Sequence, residues 1–341
     1  MNEPEERKEE KRTIAFVYKN KCHPVTQTYA DAIGAAPYKI TNPFNALWQG
    51  ITTPVHNYYF VESAMSMLLP ITKRFLGNKI TIIFRGNDGL FGEKTTAYLR
   101  TRNPIKKWFL LFLIKHMDGI SGEAKMQDKD AQEWTKVPFE VCESYIENKE
   151  VLEEIKPKLT TKTFLFIGEY RPPYDHKNIE YLVEVFKHLP KDKLIIIGKK
   201  TKQLQKKAPE NIYIQDYVDA KEQYYEDATY YIHLPKYEAG PITLLEAMTA
   251  GLIPITNDHA GHHTIVKKVH QKLIITADAT AEEAAKKIQE IERIKQKEKE
   301  KISKTFKKLG RSHYGKAEMT EKFKKTWQRL LQRIQEKNND N

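Results

Sequence analysis

Cysteine is nearly absent from this chain: its 341 residues include only Cys22 and Cys142. Two thiols close one bridge at most, which excludes a disulfide framework and points to a reducing, cytoplasmic compartment. Long hydrophobic runs are missing as well. The longest, residues 108–114, falls far short of the ~20 apolar residues that a membrane-spanning helix needs. The first dozen residues are mostly charged, so no signal peptide is read there and residues 1–12 are expected to form a disordered tail. Zinc-finger spacing and basic motifs interleaved with aromatics are absent, so nucleic acid is not an expected partner. His259, His262 and His263 cluster, but no cysteine or second histidine motif completes a tetrahedral shell. They are read as loop or helix-start residues bordering a cleft, and no metal site is expected.

What is present is a globular composition, 40% hydrophobic and 30% charged, on a chain long enough for two domains with separate cores. The net charge is +12 and unevenly placed. Residues 71–115 carry ten Lys/Arg against Asp88 and Glu93, which favours an anionic partner such as a phosphate-bearing acceptor or a membrane surface. Within that stretch, residues 103–117 form a helix with basic ends and a very apolar centre. It reads either as a membrane-surface helix with Lys106, Lys107 and Lys115 on lipid phosphates, or as a core helix. Apolar residues on more than one face favour the core.

The most informative stretch is 230–258. Residues 230–234 read as a buried strand, 235–240 as a loop, 241–250 as a helix opened by Pro241, and 252–256 as the next strand after Gly251. Backbone N–H groups at such a helix start form a seat for phosphate. Gly240 permits close approach and Thr243 adds a hydroxyl. Glu238 in the loop then faces what lies beyond the phosphate, and Glu246, about two turns in, faces one side of it. These suit a sugar hydroxyl and a ribose hydroxyl respectively.

The run E-A-G-P-I-T-L-L-E-A-M-T-A-G-L-I-P-I resembles the E-x7-E signature of the family-4 retaining glycosyltransferases, with Glu238 and Glu246 as its two glutamates. The resemblance implies an α/β, GT-B architecture of two Rossmann-like domains facing a central cleft, in which the first glutamate meets the donor sugar and the second the nucleotide ribose. It further implies donor contacts from Ala239, Gly240, Pro241, Ile242 and Thr243. The stretch 163–188 resembles the family's second signature: a strand, Gly168, an arginine, then Lys177-Asn178 before a helix. There the basic pair clamps the donor diphosphate and offsets charge on the leaving nucleotide. Lys177 matches. The position after Gly168 holds Glu169, and the nearest arginine, Arg171, either folds back into the site or lies on the surface. Tyr217 stands where members hold the base, with core packing as its alternative reading. In the first domain, Arg85, Asn87 and Asp88 follow a strand at a family hot spot, where a histidine is usual and none is found. The loop 19–26 lacks the family's glycines. Asp128 and Asp130 form a D-x-D inside a charged helical stretch and read as surface charge.

The expected organisation is a tail (1–12), an acceptor-side Rossmann-like domain (13–155), a nucleotide-sugar domain (160–312) with a linker drawn at 149–162, and a terminal helix (313–337) that crosses back to the first domain. The implied function is transfer of a sugar from a UDP- or GDP-sugar to an acceptor hydroxyl with retention and without a bound metal or other cofactor. The acceptor is open, a lipid-linked or otherwise anionic one being favoured by the basic first domain, with peripheral contact at the inner membrane face as an option. Two other readings stand beside it. One is a sugar-nucleotide-binding or scaffolding protein that has lost turnover, suggested by the missing glycines, the missing histidine and the displaced arginine. The other is a nucleotide-sugar epimerase.

Overall fold

The computed structural model describes residues 13–86, 103–173 and 175–340. The expected tail at 1–12 and the cleft candidates Asn87 and Asp88 lie outside the described residues. Two six-stranded parallel sheets organise the rest. In the first, strands β1 (Ile14–Lys19), β2 (Ala36–Ile40), β3 (Tyr58–Val61), β4 (Thr81–Arg85), β5 (Gly119–Gly122) and β6 (Phe139–Val141) lie in the order β2-β1-β3-β4-β5-β6. In the second, β7 (Thr163–Ile167), β8 (Lys193–Ile197), β9 (Ile212–Gln215), β10 (Tyr230–His233), β11 (Ile253–Asn257) and β12 (Ile274–Ile275) lie in the order β12-β11-β10-β7-β8-β9. The central strands are apolar on both faces, as a parallel sheet covered by helices requires; β3, β10 and β11 are buried from end to end.

Helices α1 (Pro24–Ala32), α2 (Pro43–Thr52), α3 (Leu68–Phe75), α4 (Pro104–Lys115) and α5 (Lys125–Gln132) belong to the first sheet. The order of strands reverses between β1 and β3. The crossovers holding α2, α3 and α4 therefore run one way and α1 the other, and right-handed connections put them on opposite faces. Two separate packings follow. Ala46, Leu69, Ile71, Leu110 and Leu113 belong to one cluster, while Val25, Tyr29 and Ala30 of α1 belong to the other. The second sheet carries α7 (Ile179–Lys187), α8 (Glu222–Asp227), α9 (Ile242–Ala250), α10 (His263–Val269), α11 (Ala281–Glu292) and α12 (Gln296–His313).

Three local features depart from the sequence reading. The stretch drawn as a linker holds α6 (Lys149–Glu154), whose Leu152 is buried in the large core shared with α9. The long helix expected over 280–309 is two, α11 and α12, separated by a turn in which Ile294 donates back to the Ile291 carbonyl. The helix expected from residue 122 begins at Lys125, because Gln127 Oε1 accepts from the backbone N–H of Glu123 (2.6 Å) and Ala124 (3.1 Å) and holds them extended. The terminal helix α13 (Lys316–Asn339) lies on the first sheet, stacking Phe323 on Tyr29 at 4.5 Å and setting Trp327 edge-on to Phe60 at 5.5 Å.

Candidate active site

In the second sheet the strand order reverses between β7 and β10, neighbours paired at Phe164–Tyr230. Loops leaving the carboxyl ends of two such strands open a crevice, the usual ligand position in an open parallel sheet. The loop after β7 and the loop after β10 are tied together. Lys236 N–H donates to the His176 carbonyl at 2.8 Å, and the Asn178 amide donates to the Leu234 carbonyl at 3.2 Å. Asn178, at φ 60°, turns the chain into α7 and aims the preceding Lys177 back over the sheet edge. Gly168 makes room for it: a Cβ there would sit 2.8 Å from Lys177 Cδ.

Lys177 meets Glu238. Its ammonium forms an ion pair with Oε1, and His233 Nε2 lies 2.9 Å from Oε2, in an arrangement that lacks hydrogen-bond alignment. Glu238 is itself fixed by backbone, its N–H donating to the His259 carbonyl and its carbonyl accepting from Gly261 N–H. Gly261 is required there, because a Cβ would fall 1.7 Å from the Ala239 carbonyl oxygen. Burial opposes charge on Glu238, but Lys177 and then His233 outweigh it and hold the carboxyl far below the usual carboxylate range. Burial pushes His233 below the ordinary imidazole value, so the neutral ring stands beside the carboxylate and Lys177 is the cation that compensates it. Glu238 Oε2 and both His233 ring nitrogens are buried without a hydrogen-bond partner.

Helix α9 follows directly, with Pro241 at its N-cap and Gly251, at φ 93°, closing it. Its first-turn amides face the crevice end of the helix. The Thr243 hydroxyl is already engaged, accepting from Tyr231 Oη at 2.6 Å and donating to the Ile167 carbonyl at 3.3 Å, so it is less free for phosphate than its position suggested. Glu246 accepts from Tyr225 Oη at 2.9 Å and from Lys221 Nζ at 3.3 Å. Ala239 and Tyr237 pack on Ala124 of the first domain, and Gly240 lies so close to Glu123 that a Cβ would come within 2.6 Å of its carboxylate. Pro241 is buried and Ile242 packs against the large core.

Arg85 ends β4 and is buried, donating to the Ser121 hydroxyl, the Gly122 and Cys142 carbonyls and Glu123 Oε1. Through Glu123 it thus stands behind the loop at Gly240. Arg171 does not fold back. Its guanidinium is exposed and donates twice to Glu169 Oε2, at 2.9 and 2.7 Å, because the loop between Gly168 and Lys177 gives it a nearer carboxylate. Tyr217 is not core either: it is exposed just beyond β9, with Lys199 over its ring at 5.5 Å.

Several participants were not singled out from sequence. His233 is the clearest, and its signal was present: one ionisable residue inside an otherwise apolar strand run. His262, which the sequence reading puts at the border of the cleft, is buried close to Glu143 and the Glu238–His233 pair, and burial lowers it to about 4. Tyr225, Lys221 and Glu123 carried no such signal. Asp128 lies in α5 and accepts from Gln132 at 3.1 Å.

Residues 148–309 match the family described as Glycosyl transferases group 1. Among solved structures, a sucrose-phosphate synthase of Thermosynechococcus elongatus superposes with a TM-score of 0.72 at 11% identity, over 94% of this chain and 99% of its own. The fold is GT-B. HepE of Anabaena in complex with UDP and glucose superposes with a TM-score of 0.71 at 8% identity, over 93% and 100% of the two chains. A glycosyltransferase from Rickettsia africae gives 0.66 at 13% identity, over 94% and 99%. No curated protein sequence gives a significant match. In GT-B terms, Lys177, Glu238 and the start of α9 all lie in the second domain, on the edge that faces the first. No helix among the described residues is long and apolar enough to cross a membrane.

Proposed function

We propose that this protein transfers a sugar from a nucleotide-diphospho-sugar, a UDP- or GDP-sugar, to an acceptor hydroxyl with retention of configuration. The observation that carries the reading is the part-buried Lys177–Glu238 pair at the strand-order reversal, with His233 beside it and neither Glu238 Oε2 nor the His233 nitrogens in an aligned hydrogen bond. Buried polar atoms left unmade cost about 1–3 kcal/mol each, and a sugar with its ring of hydroxyls supplies partners for such a set. The match of residues 148–309 to group 1 glycosyl transferases supports it, as do the GT-B neighbours solved with UDP and UDP-glucose.

In this reading the donor diphosphate lies against the loop and N-terminus of α9, residues 239–243, and Lys177 offsets charge as the nucleotide departs. Glu238 receives sugar hydroxyls. Glu246 turns from Tyr225 and Lys221 towards the ribose, and Tyr217 stands beside the base. The leaving phosphate accepts the acceptor's proton in a front-face displacement, which needs positioning and charge compensation from these groups and no bound metal. The two cysteines are free, in keeping with a cytoplasmic site of action, and the acceptor is proposed to be lipid-linked or otherwise anionic.

One observation favours a second reading. Arg171 is spent on Glu169, so the basic pair of the resembled family is reduced to Lys177, as in a binding protein that has lost turnover. A panel of UDP-, GDP- and ADP-sugars separates the two by thermal shift and slow hydrolysis. One donor that stabilises the protein and is hydrolysed supports transfer. Stabilisation without turnover on any acceptor supports the binding protein, and no stabilisation by any donor contradicts both.

A further inference from the structure

Helices α2, α3 and α4 form one layer on the first sheet, and the layer carries its large apolar side chains on the wrong side for a monomer. In α2 the inward positions are small: Ala46 and Gly50 are buried, and a Cβ on Gly50 would fall 2.6 Å from Thr72 Cβ of α3. Phe44, Leu47, Trp48 and Ile51, at i, i+3, i+4 and i+7, form a single stripe that faces solvent, with Phe44 83% and Trp48 65% exposed. In α4, Leu110, Leu113 and Ile114 face the sheet, while Ile105 and Trp108 (68% exposed) face out. The core-helix reading of this segment therefore holds for one face only. The outer surfaces of α3 and α4 are continuous, since exposed Phe75 stacks on Phe112 at 6.3 Å and Phe112 on Trp108 at 6.0 Å.

Charge follows the same layer. Helices α2, α3 and α4 contain no Asp or Glu. Of their five basic residues, Lys73 and Arg74 turn inward, to the Thr53 carbonyl and Asp118. Lys107 lies over the Trp134 ring. Lys106 and Lys115 are exposed near the two ends of α4, and Lys79 is exposed just before β4. A surface that is apolar along its ridges and cationic at its ends repels a second copy of itself and fits an interface that is apolar inside and anionic outside.

We infer that this face docks on an anionic lipid bilayer, with Phe44, Trp48, Ile51, Ile105 and Trp108 entering the headgroup–acyl boundary and Lys79, Lys106 and Lys115 meeting lipid phosphates. Because α2 and α4 each follow a strand's carboxyl end, Phe44 and Ile105 lie at the end of the layer nearer the crevice. Docking there sets the first domain's open edge beside the membrane. The inference stands whether or not the protein transfers sugar.

Co-sedimentation of the full chain with vesicles tests it, using phosphatidylcholine alone and equal parts phosphatidylcholine and phosphatidylglycerol, with no nucleotide present. The expected result is binding to the anionic vesicles, reduced by salt, and a loss of about tenfold or more in partition for the double variant Trp48→Ser/Ile51→Ser. Phe44→Ser serves as a second, independent variant, and circular dichroism checks that both are folded. Absence of wild-type binding overturns the inference, and so does equal binding by the folded variants. A concentration-dependent dimer abolished by the same substitutions would also overturn it, by assigning the face to a second copy.

Discussion

Lys177 and Glu238 stand sixty-one residues apart in sequence and form a part-buried ion pair across the crevice between β7 and β10. Neither loop alone creates the pair. Asn178 in the left-handed region and the absence of a side chain at Gly168 steer the lysine, while two backbone bonds, to His259 and Gly261, set the glutamate.

Removing the lysine leaves the buried Glu238 charge uncompensated, so Lys177→Met is expected to lower stability by about 3 kcal/mol. The double variant Lys177→Met/Glu238→Gln should lose less than the two single variants summed, since neither charge then remains. Chemical denaturation of the four proteins of the cycle measures the coupling. Strict additivity would mean that the two side chains do not interact.

Acid should destabilise the protein earlier than carboxylate protonation alone would. His262 is lowered from 6.5 to about 4, and His233 is lowered as well, both chiefly by burial. Below the ordinary imidazole value the unfolded chain binds protons that the folded chain refuses, so stability falls as pH drops from 6.5 towards 4. For His262 this amounts to about 3 kcal/mol by pH 4. Glu238 acts at lower pH: its contribution is present above the ordinary carboxylate value and is lost as pH falls towards its depressed one. Denaturation midpoints between pH 8 and pH 4 check the first window, and His262→Asn should flatten the profile there if it folds.

Arg171→Ala is expected to change little. Its pair with Glu169 is exposed, and such pairs contribute about 0–1 kcal/mol. Donor affinity and any turnover should remain within about twofold of wild type. A loss of a hundredfold in turnover at unchanged stability would show that the arginine reaches the donor during the reaction.

Much of this was legible because parallel strands and the loop–helix unit are local patterns. The apolar runs at β7, β8, β10 and β11, the proline and glycine that bracket α9, and the spacing of Glu238 and Glu246 all lie in short stretches of sequence. What was not legible depends on partners distant in the chain. From sequence alone Arg171 admits two readings, and the exposed pair with Glu169 decides between them. Tyr217 had a core alternative because an aromatic after a strand is usually packed. The apolar centre of α4 suggested a buried helix, since sequence does not reveal that small residues in α2 allow α3 to lie close while larger ones face outward. His233 gains its meaning only from Glu238, five residues on and beyond the end of the strand, so a lone histidine in an apolar run does not by itself mark a site.

In the proposed function one glutamate, Glu238, meets the sugar and the other, Glu246, the nucleotide. Titration calorimetry with UDP and with a UDP-sugar that the wild type binds, on wild type, Glu238→Ala and Glu246→Ala, tests it most directly. Glu246→Ala should weaken both ligands by about tenfold to a hundredfold, the loss expected for a hydrogen bond to a charged group. Glu238→Ala should leave UDP nearly unchanged and abolish the extra affinity of the sugar nucleotide. Equal effects of the two variants on UDP, or none of either on any nucleotide, would contradict the account.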